Sequence, residues 1–258
     1  MAPPKKSLGQ HFLNDRNILG AIADAVAVGP RDVVVEIGPG HGSLTRLLAE
    51  RAERVIAVEL DADLAAALRA DAPANLTIVE ADGREVDPAD LLGGCQPYKL
   101  LGNLPYYAAM PILRRFLECG CPPSSAAILV QLEVARQLCA APGDMSLSSL
   151  AVQLYGAPRI VRRVAPGSFN PPPKVTSAVV AIDLYDAPAE GVTDVDGFFR
   201  VARAGFSAPR KQLRNALSNG LALPPSAADV WLLRADIDPT RRAETLTIGE
   251  WASLARHA

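Results

Sequence analysis

The chain has 258 residues, 49% of them hydrophobic and 21% charged, with a formal net charge of −2. That length fits one α/β domain with a small appendage, or one large domain, and the composition excludes a disordered chain. Near-neutral charge excludes a uniformly basic nucleic-acid binder, so a polyanion site has to be a local patch. No stretch approaches the ~18 apolar residues of a membrane helix. The start, Met1-Ala2-Pro3-Pro4-Lys5-Lys6, has no apolar segment behind its lysines and is not a secretory signal. The four cysteines (Cys95, Cys119, Cys121, Cys139) follow no zinc spacing. They are expected as thiols in a cytoplasmic protein without a metal.

Val33-Val34-Val35-Glu36-Ile37 is a short β-branched run, the mark of a central strand buried on both faces. Gly38 to Gly42 follows as a turn. Behind it Leu44, Leu47 and Leu48 recur at helical spacing, with Ser43 the expected N-cap. Residues 55–59 predict the second strand, 76–79 the third, 98–101 the fourth and 126–130 the fifth. Leu64 and Leu68, then Ile112, Leu113, Phe116 and Leu117, mark helices between them. The alternation predicts an α/β fold with an open, mostly parallel, doubly wound sheet. Two further strand-like segments, 159–164 and 177–184, flank a proline-rich loop. They lie too close in sequence for a crossover helix, so antiparallel pairing is expected. Past residue 191 only short amphipathic helices are predicted. The expected division is therefore a sheet domain with an N-terminal arm over 1–191 and an all-helical domain over 192–258.

Glu36-Ile37-Gly38-Pro39-Gly40-His41-Gly42 stands where the first strand turns into the first helix. Glycines there let a ligand approach the backbone, although any such turn can use glycine for geometry alone. The spacing is G-x-G-x-G and not the dinucleotide G-x-G-x-x-G. Glu59 ends the second strand, where an acid can accept both hydroxyls of a ribose. Asp82 follows the third, where a short acid can accept an adenine amine. Gly38, Gly40, Glu59 and Asp82 together fit an adenosine-containing ligand, and the glycine spacing suits S-adenosylmethionine better than NAD.

Gly102-Asn103-Leu104-Pro105-Tyr106-Tyr107 follows the fourth strand. Alone it reads as a proline turn whose asparagine caps its own backbone. Beside a cofactor site it can hold a nucleobase. The Asn103 side-chain oxygen and the Leu104 carbonyl would accept from an exocyclic amine, Pro105 would stiffen the turn and Tyr106 would stack on the ring. Extruding a base costs a few kcal/mol, and one aromatic partner returns only ~1–3 kcal/mol. A second ring is therefore expected. Phe169 is the candidate, with an ordinary loop anchor as its other reading. Basic clusters at Arg159, Arg162, Arg163 and Lys174, and at Arg200, Arg203, Arg210, Lys211 and Arg214, are solvated faces or phosphate contacts.

With these residues in place, the chain resembles the ribosomal RNA adenine N6,N6-dimethyltransferases, in their small-subunit branch. The resemblance runs from Lys6 to about Leu221. It rests on Ser7-Leu8-Gly9-Gln10-His11-Phe12-Leu13-Asn14-Asp15, the Glu36 to Thr45 segment, Asn103-Leu104-Pro105-Tyr106-Tyr107, Phe169-Asn170-Pro171-Pro172-Pro173-Lys174-Val175 and Arg210-Lys211-Gln212-Leu213-Arg214-Asn215. It implies a Rossmann-like class I methyltransferase sheet with S-adenosylmethionine as methyl donor. It also implies that His11 and Leu13 join Gly38, Glu59, Asp82 and Asn103 around that donor. The substrate implied is a pair of adjacent adenosines in the 3′-terminal hairpin loop of small-subunit RNA, modified late in assembly. Arg162, Arg163, Lys174, Arg210, Lys211 and Arg214 are the expected RNA contacts of a monomer acting on the pre-30S particle, away from membranes. The sister branch acting on large-subunit RNA is disfavoured by the proline-rich loop and the Arg210 to Asn215 segment. A non-catalytic assembly factor is disfavoured by the intact Asn103 turn with Glu59 and Asp82. The chain departs from the family pattern at Leu132, where lysine is usual, at Leu147, where arginine is usual, and at Ala109, where serine is common.

Overall fold

The computed structural model describes residues 10–257, so Ser7-Leu8-Gly9 and the rest of the arm lie outside the described residues. In chain order the strands are β1 (Phe12–Leu13), β2 (Val33–Ile37), β3 (Arg54–Glu59), β4 (Leu76–Glu80), β5 (Lys99–Asn103), β6 (Ser125–Gln131), β7 (Gly156–Val164), β8 (Phe169–Asn170) and β9 (Ser177–Leu184). The helices of the sheet unit are α1 (Arg16–Asp24), α2 (Ser43–Arg51), α3 (Ala62–Ala70), α4 (Pro88–Leu92) and α5 (Ala109–Leu117), followed by α6 (Leu132–Leu138). Then come α7 (Leu147–Gln153), α8 (Val195–Gly205), α9 (Leu213–Gly220), α10 (Pro225–Arg234) and α11 (Ile248–Arg256). No helix of the described residues is long and apolar enough to cross a membrane.

The main sheet has the order β4-β3-β2-β5-β6-β9-β7. Neighbours from β4 to β6 pair in parallel, and β9 runs antiparallel to β6. The doubly wound expectation therefore holds, and β9 lies beside β7 as the sequence predicts. The apolar runs of β2, β3 and β6 are buried because helices cover both faces, whereas edge strand β7 is mostly exposed. Ile18, Leu19 and Ile22 of α1 pack with Leu44 and Leu48 of α2 onto Val34, Val55, Leu101 and Leu129. The strand order reverses between β2 and β5, and their C-terminal ends leave the crevice where ligands bind in such sheets.

Ser43 is not the N-cap of α2. Gly42, at φ +77°, holds the cap position, and Ser43 begins the helix with its Oγ donating to Asn14 Oδ1 at 3.1 Å. A left-handed cap suits glycine and strains serine, which moves the helix start by one residue.

The chain divides into two compact units. One runs to Ala135 and resumes over Ala157–Leu184, and the other comprises Arg136–Gly156 and the chain from Tyr185 onward. The helical unit is thus larger than residues 192–258. Its backbone explains why: Gly143 and Met145 both donate to the Glu244 carbonyl, at 2.8 and 3.2 Å. Tyr185 and Ala189 in turn donate to the carbonyls of Tyr155 and Leu154, at 2.9 and 2.7 Å. Within this unit Phe198, Leu213, Leu217 and Trp251 are fully buried, and Thr247 with Glu250 closes a capping box on α11.

Two of the four cysteines are not thiols. Cys95 and Cys121 form a disulfide with Cα atoms 5.5 Å apart, while Cys119 and Cys139 are free. The parallel register aligns Lys99 with Ser125, and each bonded cysteine stands four residues before one of these. Sheet adjacency makes the pair, so no local cysteine spacing announces it.

Candidate active site

The crevice at the ends of β2, β3 and β5 is lined by Gly38, Pro39, Gly40 and His41 of the glycine turn, by Glu36, Glu59 and Leu60, and by Asn103, Leu104, Pro105, Tyr106 and Tyr107. Gln10, His11, Phe12 and Leu13 line it from the N-terminal side of the chain, and Ser43 and Leu44 from α2. The structure thus brings together all the residues expected around the methyl donor except Asp82, which does not line this pocket. Gly40 has φ +58°, and a Cβ there would meet the Phe12 ring at 2.9 Å. Glycine lets the N-terminal strap lie directly on the turn. β1 pairs antiparallel with β8, setting Phe12 opposite Asn170 and Leu13 opposite Phe169. The His11 Nδ1–H donates to the Pro171 carbonyl at 2.8 Å, which assigns that tautomer because a carbonyl only accepts.

Glu59 is 6% exposed. Its Oε2 accepts from the Gly40 N–H at 3.0 Å and its Oε1 from the Asp61 N–H at 2.9 Å. Burial raises its pKa, and these two bonds offset part of the rise. A carboxylate has about four acceptor positions, so capacity remains for a diol.

Glu36, which sequence reasoning passed over as a strand residue, is 1% exposed and also lines the pocket. Its Oε2 has no hydrogen-bond partner among the described residues. Burial pushes its pKa up to about 8, Thr45 relieves part of the cost, and the Glu59 charge adds to it. The available signal was a lone acid inside an otherwise apolar central strand.

Asn103 ends β5, and its Nδ2 donates to the His11 carbonyl at 2.8 Å. This bond fixes the amide and leaves Oδ1 free to accept. Leu104 is buried, and no donor among the described residues takes its carbonyl. Tyr106 is half-buried, with its hydroxyl 2.6 Å from the Oγ of the buried Ser177, and burial raises its pKa. The ring beside Tyr106 is His11, at 6.0 Å between centroids and 27° between planes.

The expected second stacking ring is not Phe169. That side chain is 5% exposed and packs with Leu13, Leu129, Val164 and Val179. Pairing of β8 with β1 turns it inward while Asn170 faces out, so the loop-anchor reading applies. Among the expected RNA contacts, Arg162, Arg163, Lys174, Arg210 and Lys211 are exposed, and Arg162 Nη1 donates to the Asn17 carbonyl at 3.1 Å. Arg214 is not free-standing. It is half-buried on α9, with Nη1 3.8 Å from Asp229 Oδ2. Of the departures from the family pattern, Ala109 is buried, while the Leu132 N–H donates to the Thr176 carbonyl at 2.9 Å.

Two outcomes follow from these placements. Phe169→Ala is expected to lower stability by about 3–5 kcal/mol in urea unfolding; a variant as stable as the parent chain would return Phe169 to the stacking role. Glu36 holds a proton in the folded state that the unfolded chain releases above about pH 4.5, so stability falls as pH rises from there to about 8. Glu36→Gln removes that slope. Its thermal midpoint relative to the parent chain is expected to rise steadily across this window, and parallel curves would contradict the shifted Glu36.

The profile of the family described as ribosomal RNA adenine dimethylase matches residues 2–258. A ribosomal RNA small subunit methyltransferase A from Dehalococcoides mccartyi is 46% identical over 253 residues, covering 97% of this chain and 87% of that protein. Among solved structures, a dimethyladenosine transferase from Plasmodium falciparum superposes with a TM-score of 0.80 at 26% identity, covering 95% of this chain and 96% of the other. The 23S rRNA methyltransferase ErmE superposes with a TM-score of 0.75 at 26% identity, covering 95% and 98%. The glycine turn, the acids at the strand ends and the Asn103 turn are therefore parts of one methyltransferase fold, and this chain belongs to the ribosomal RNA adenine dimethylase family.

Proposed function

We propose that this enzyme dimethylates N6 of two adjacent adenosines in the 3′-terminal hairpin loop of small-subunit ribosomal RNA, with S-adenosylmethionine as methyl donor. It would act in the cytoplasm, as a monomer on the pre-30S particle. The observation that carries this reading is Asn103. Its Nδ2 is engaged by the His11 carbonyl, so its Oδ1 is presented as an acceptor beside the cofactor pocket.

The residues present fit the methyl donor. Glu59 keeps acceptor capacity for the ribose hydroxyls, the turn at Gly38 and Gly40 exposes backbone, and Glu36 leaves a buried, unpartnered oxygen at the pocket. His11 and Leu13 would close over it from the strap, and Asp82 would receive the adenine amine. When bound, S-adenosylmethionine supplies an electrophilic methyl on a sulfonium.

Adenine N6 is a weak nucleophile because its lone pair is delocalised into the ring. The site needs acceptors for its N–H bonds and no strong base. The Asn103 Oδ1 and the Leu104 carbonyl supply two, and either one serves the single N–H left after a first methylation. Tyr106, held by Ser177, gives the base a fixed stacking face. The relatives named for the small subunit are more similar to this chain than the 23S enzyme is, at 46% against 26% identity. That supports the small-subunit branch.

Incubating the protein with labelled S-adenosylmethionine and undermethylated small subunits is expected to yield dimethyladenosine at two adjacent positions near the RNA 3′ end. Label in large-subunit RNA instead would move the enzyme to the sister branch. Asn103→Ala is expected to lower turnover by about 10²–10³-fold, the size of a lost transition-state contact. Its cofactor Kd should rise only modestly, through loosening of the strap at His11. Near-normal turnover in that variant would sink the acceptor role.

A further inference from the structure

Asp82 is set aside above for the adenine amine of the cofactor, yet its carboxylate is already taken. The Arg84 Nε lies 3.0 Å from both Oδ1 and Oδ2, and Arg84 Nη2 lies 2.5 Å from Oδ2. The Arg84 backbone N–H also donates to Oδ1 at 2.9 Å. Three N–H groups, the Nε one shared between both oxygens, therefore occupy most of the about four acceptor positions of a carboxylate. The ion pair with Arg84 lowers the pKa of Asp82 from the ordinary carboxylate value.

The turn carrying this pair is packed against the site. Gly83 between the two residues is buried, and a Cβ there would lie 2.8 Å from Ile37 Cγ2, at the end of β2. Asp82 is consequently held beside the strand that leads into the glycine turn. Even so, it does not line the pocket that Glu36, Glu59 and Asn103 share. The acid is in place and its acceptor edge is covered.

We propose that Arg84 is a latch on the adenine subsite: its guanidinium occupies the acceptor edge of Asp82, and cofactor binding requires that fork to open. This inference rests on the reading of Asp82 as the adenine contact. The latch has two consequences. An incoming amine replaces a charged donor on the same oxygens, so only a ligand that itself donates there recovers what opening costs. Opening costs the same whichever base enters, so the latch lowers affinity and leaves the preference for adenine over a base with a carbonyl at that position to Asp82 itself. The latch can also yield, because the Arg84 side chain is 45% exposed, and an ion pair this open to water is weak and salt-sensitive.

The test uses S-adenosylhomocysteine and its inosine analogue in calorimetric titrations with the full chain. Arg84→Ala is expected to tighten S-adenosylhomocysteine binding about two- to fivefold, the range of an exposed ion pair. It should also flatten the dependence on salt and leave the preference over the inosine analogue unchanged, because the opening cost is common to both ligands. Arg84→Lys, which keeps the charge but loses the fork, should fall between. Adding Asp82→Ala to Arg84→Ala should weaken binding about tenfold, as loss of a hydrogen bond to a charged group does. If Arg84→Ala leaves binding unchanged or weaker while the added Asp82→Ala still weakens it, the latch is wrong and Asp82 remains the adenine contact. If the added Asp82→Ala changes nothing, the adenine assignment itself falls, and the latch with it.

Discussion

The close approach of β2 and β5 sets the distances on which the whole site depends. Ile37 stands opposite Gly102 in the parallel register, and a Cβ on Gly102 would lie 2.5 Å from the Ile37 carbonyl oxygen. No larger residue lets the two strand ends meet this way. Their next residues are Gly38 and Asn103, and a Cβ on Gly38 would lie 3.4 Å from the Asn103 carbonyl. The glycine turn and the Asn103 turn are thus joined by backbone packing. Side chains add detail to an alignment the sheet has already made. That matters because a displacement of about 1 Å between reacting groups can cost 10²-fold in rate.

The strap across the pocket is built from the same economy of contacts. One peptide unit of His11 serves two elements: its carbonyl takes the Asn103 amide, while its ring donates to the Pro171 carbonyl. The β1–β8 ladder fastens the strap to the proline-rich loop, and Leu13 and Phe169 carry it into the core. Three of the segments that carry the family resemblance are therefore one mechanical unit. Two buried acids, Glu36 and Glu59, line the same pocket, and the fold bears their desolvation without fully relieving it. Groups held against their own preference in a pocket mark a site kept for a ligand.

What could be read from the sequence was whatever local spacing decides. The β-branched run at Val33 to Ile37, the glycine turn and the Asn103 turn announced themselves, because strand burial and turn chemistry act within a few residues. What could not be read depended on neighbours far along the chain. Phe169 is turned inward by pairing with Leu13, Arg214 is drawn to Asp229 on α10, and Cys95 meets Cys121 through the β5–β6 register. Residues 136–156 join the helical unit through carbonyls of Glu244, Tyr155 and Leu154, which leave no compositional trace. Asp82 is the instructive intermediate case. Its position after β4 was legible, but its engagement by Arg84 was not, since an Asp-Gly-Arg turn reads equally as a free acid and a free base.

The loss of Phe169 as a stacking partner changes the energetics of base capture. Extrusion costs a few kcal/mol, while stacking on Tyr106 returns about 1–3 kcal/mol. The Tyr106 ring is fixed by Ser177 and has only the smaller His11 ring facing it at 6.0 Å. A site so furnished does not pull an adenine from a stable helix by stacking alone. The balance must come from phosphate contacts outside the pocket, for which Arg162, Arg163 and Lys174 are exposed in the sheet unit, or from a substrate whose bases are already unstacked. The second route favours loop adenosines over paired ones, because an open loop has already lost the stacking that a helix would demand. On the proposed reading of Asn103, Leu104 and Tyr106, a turn with one firm aromatic face and two carbonyl acceptors would therefore suit a hairpin loop, and its selectivity would begin with how little force it can apply.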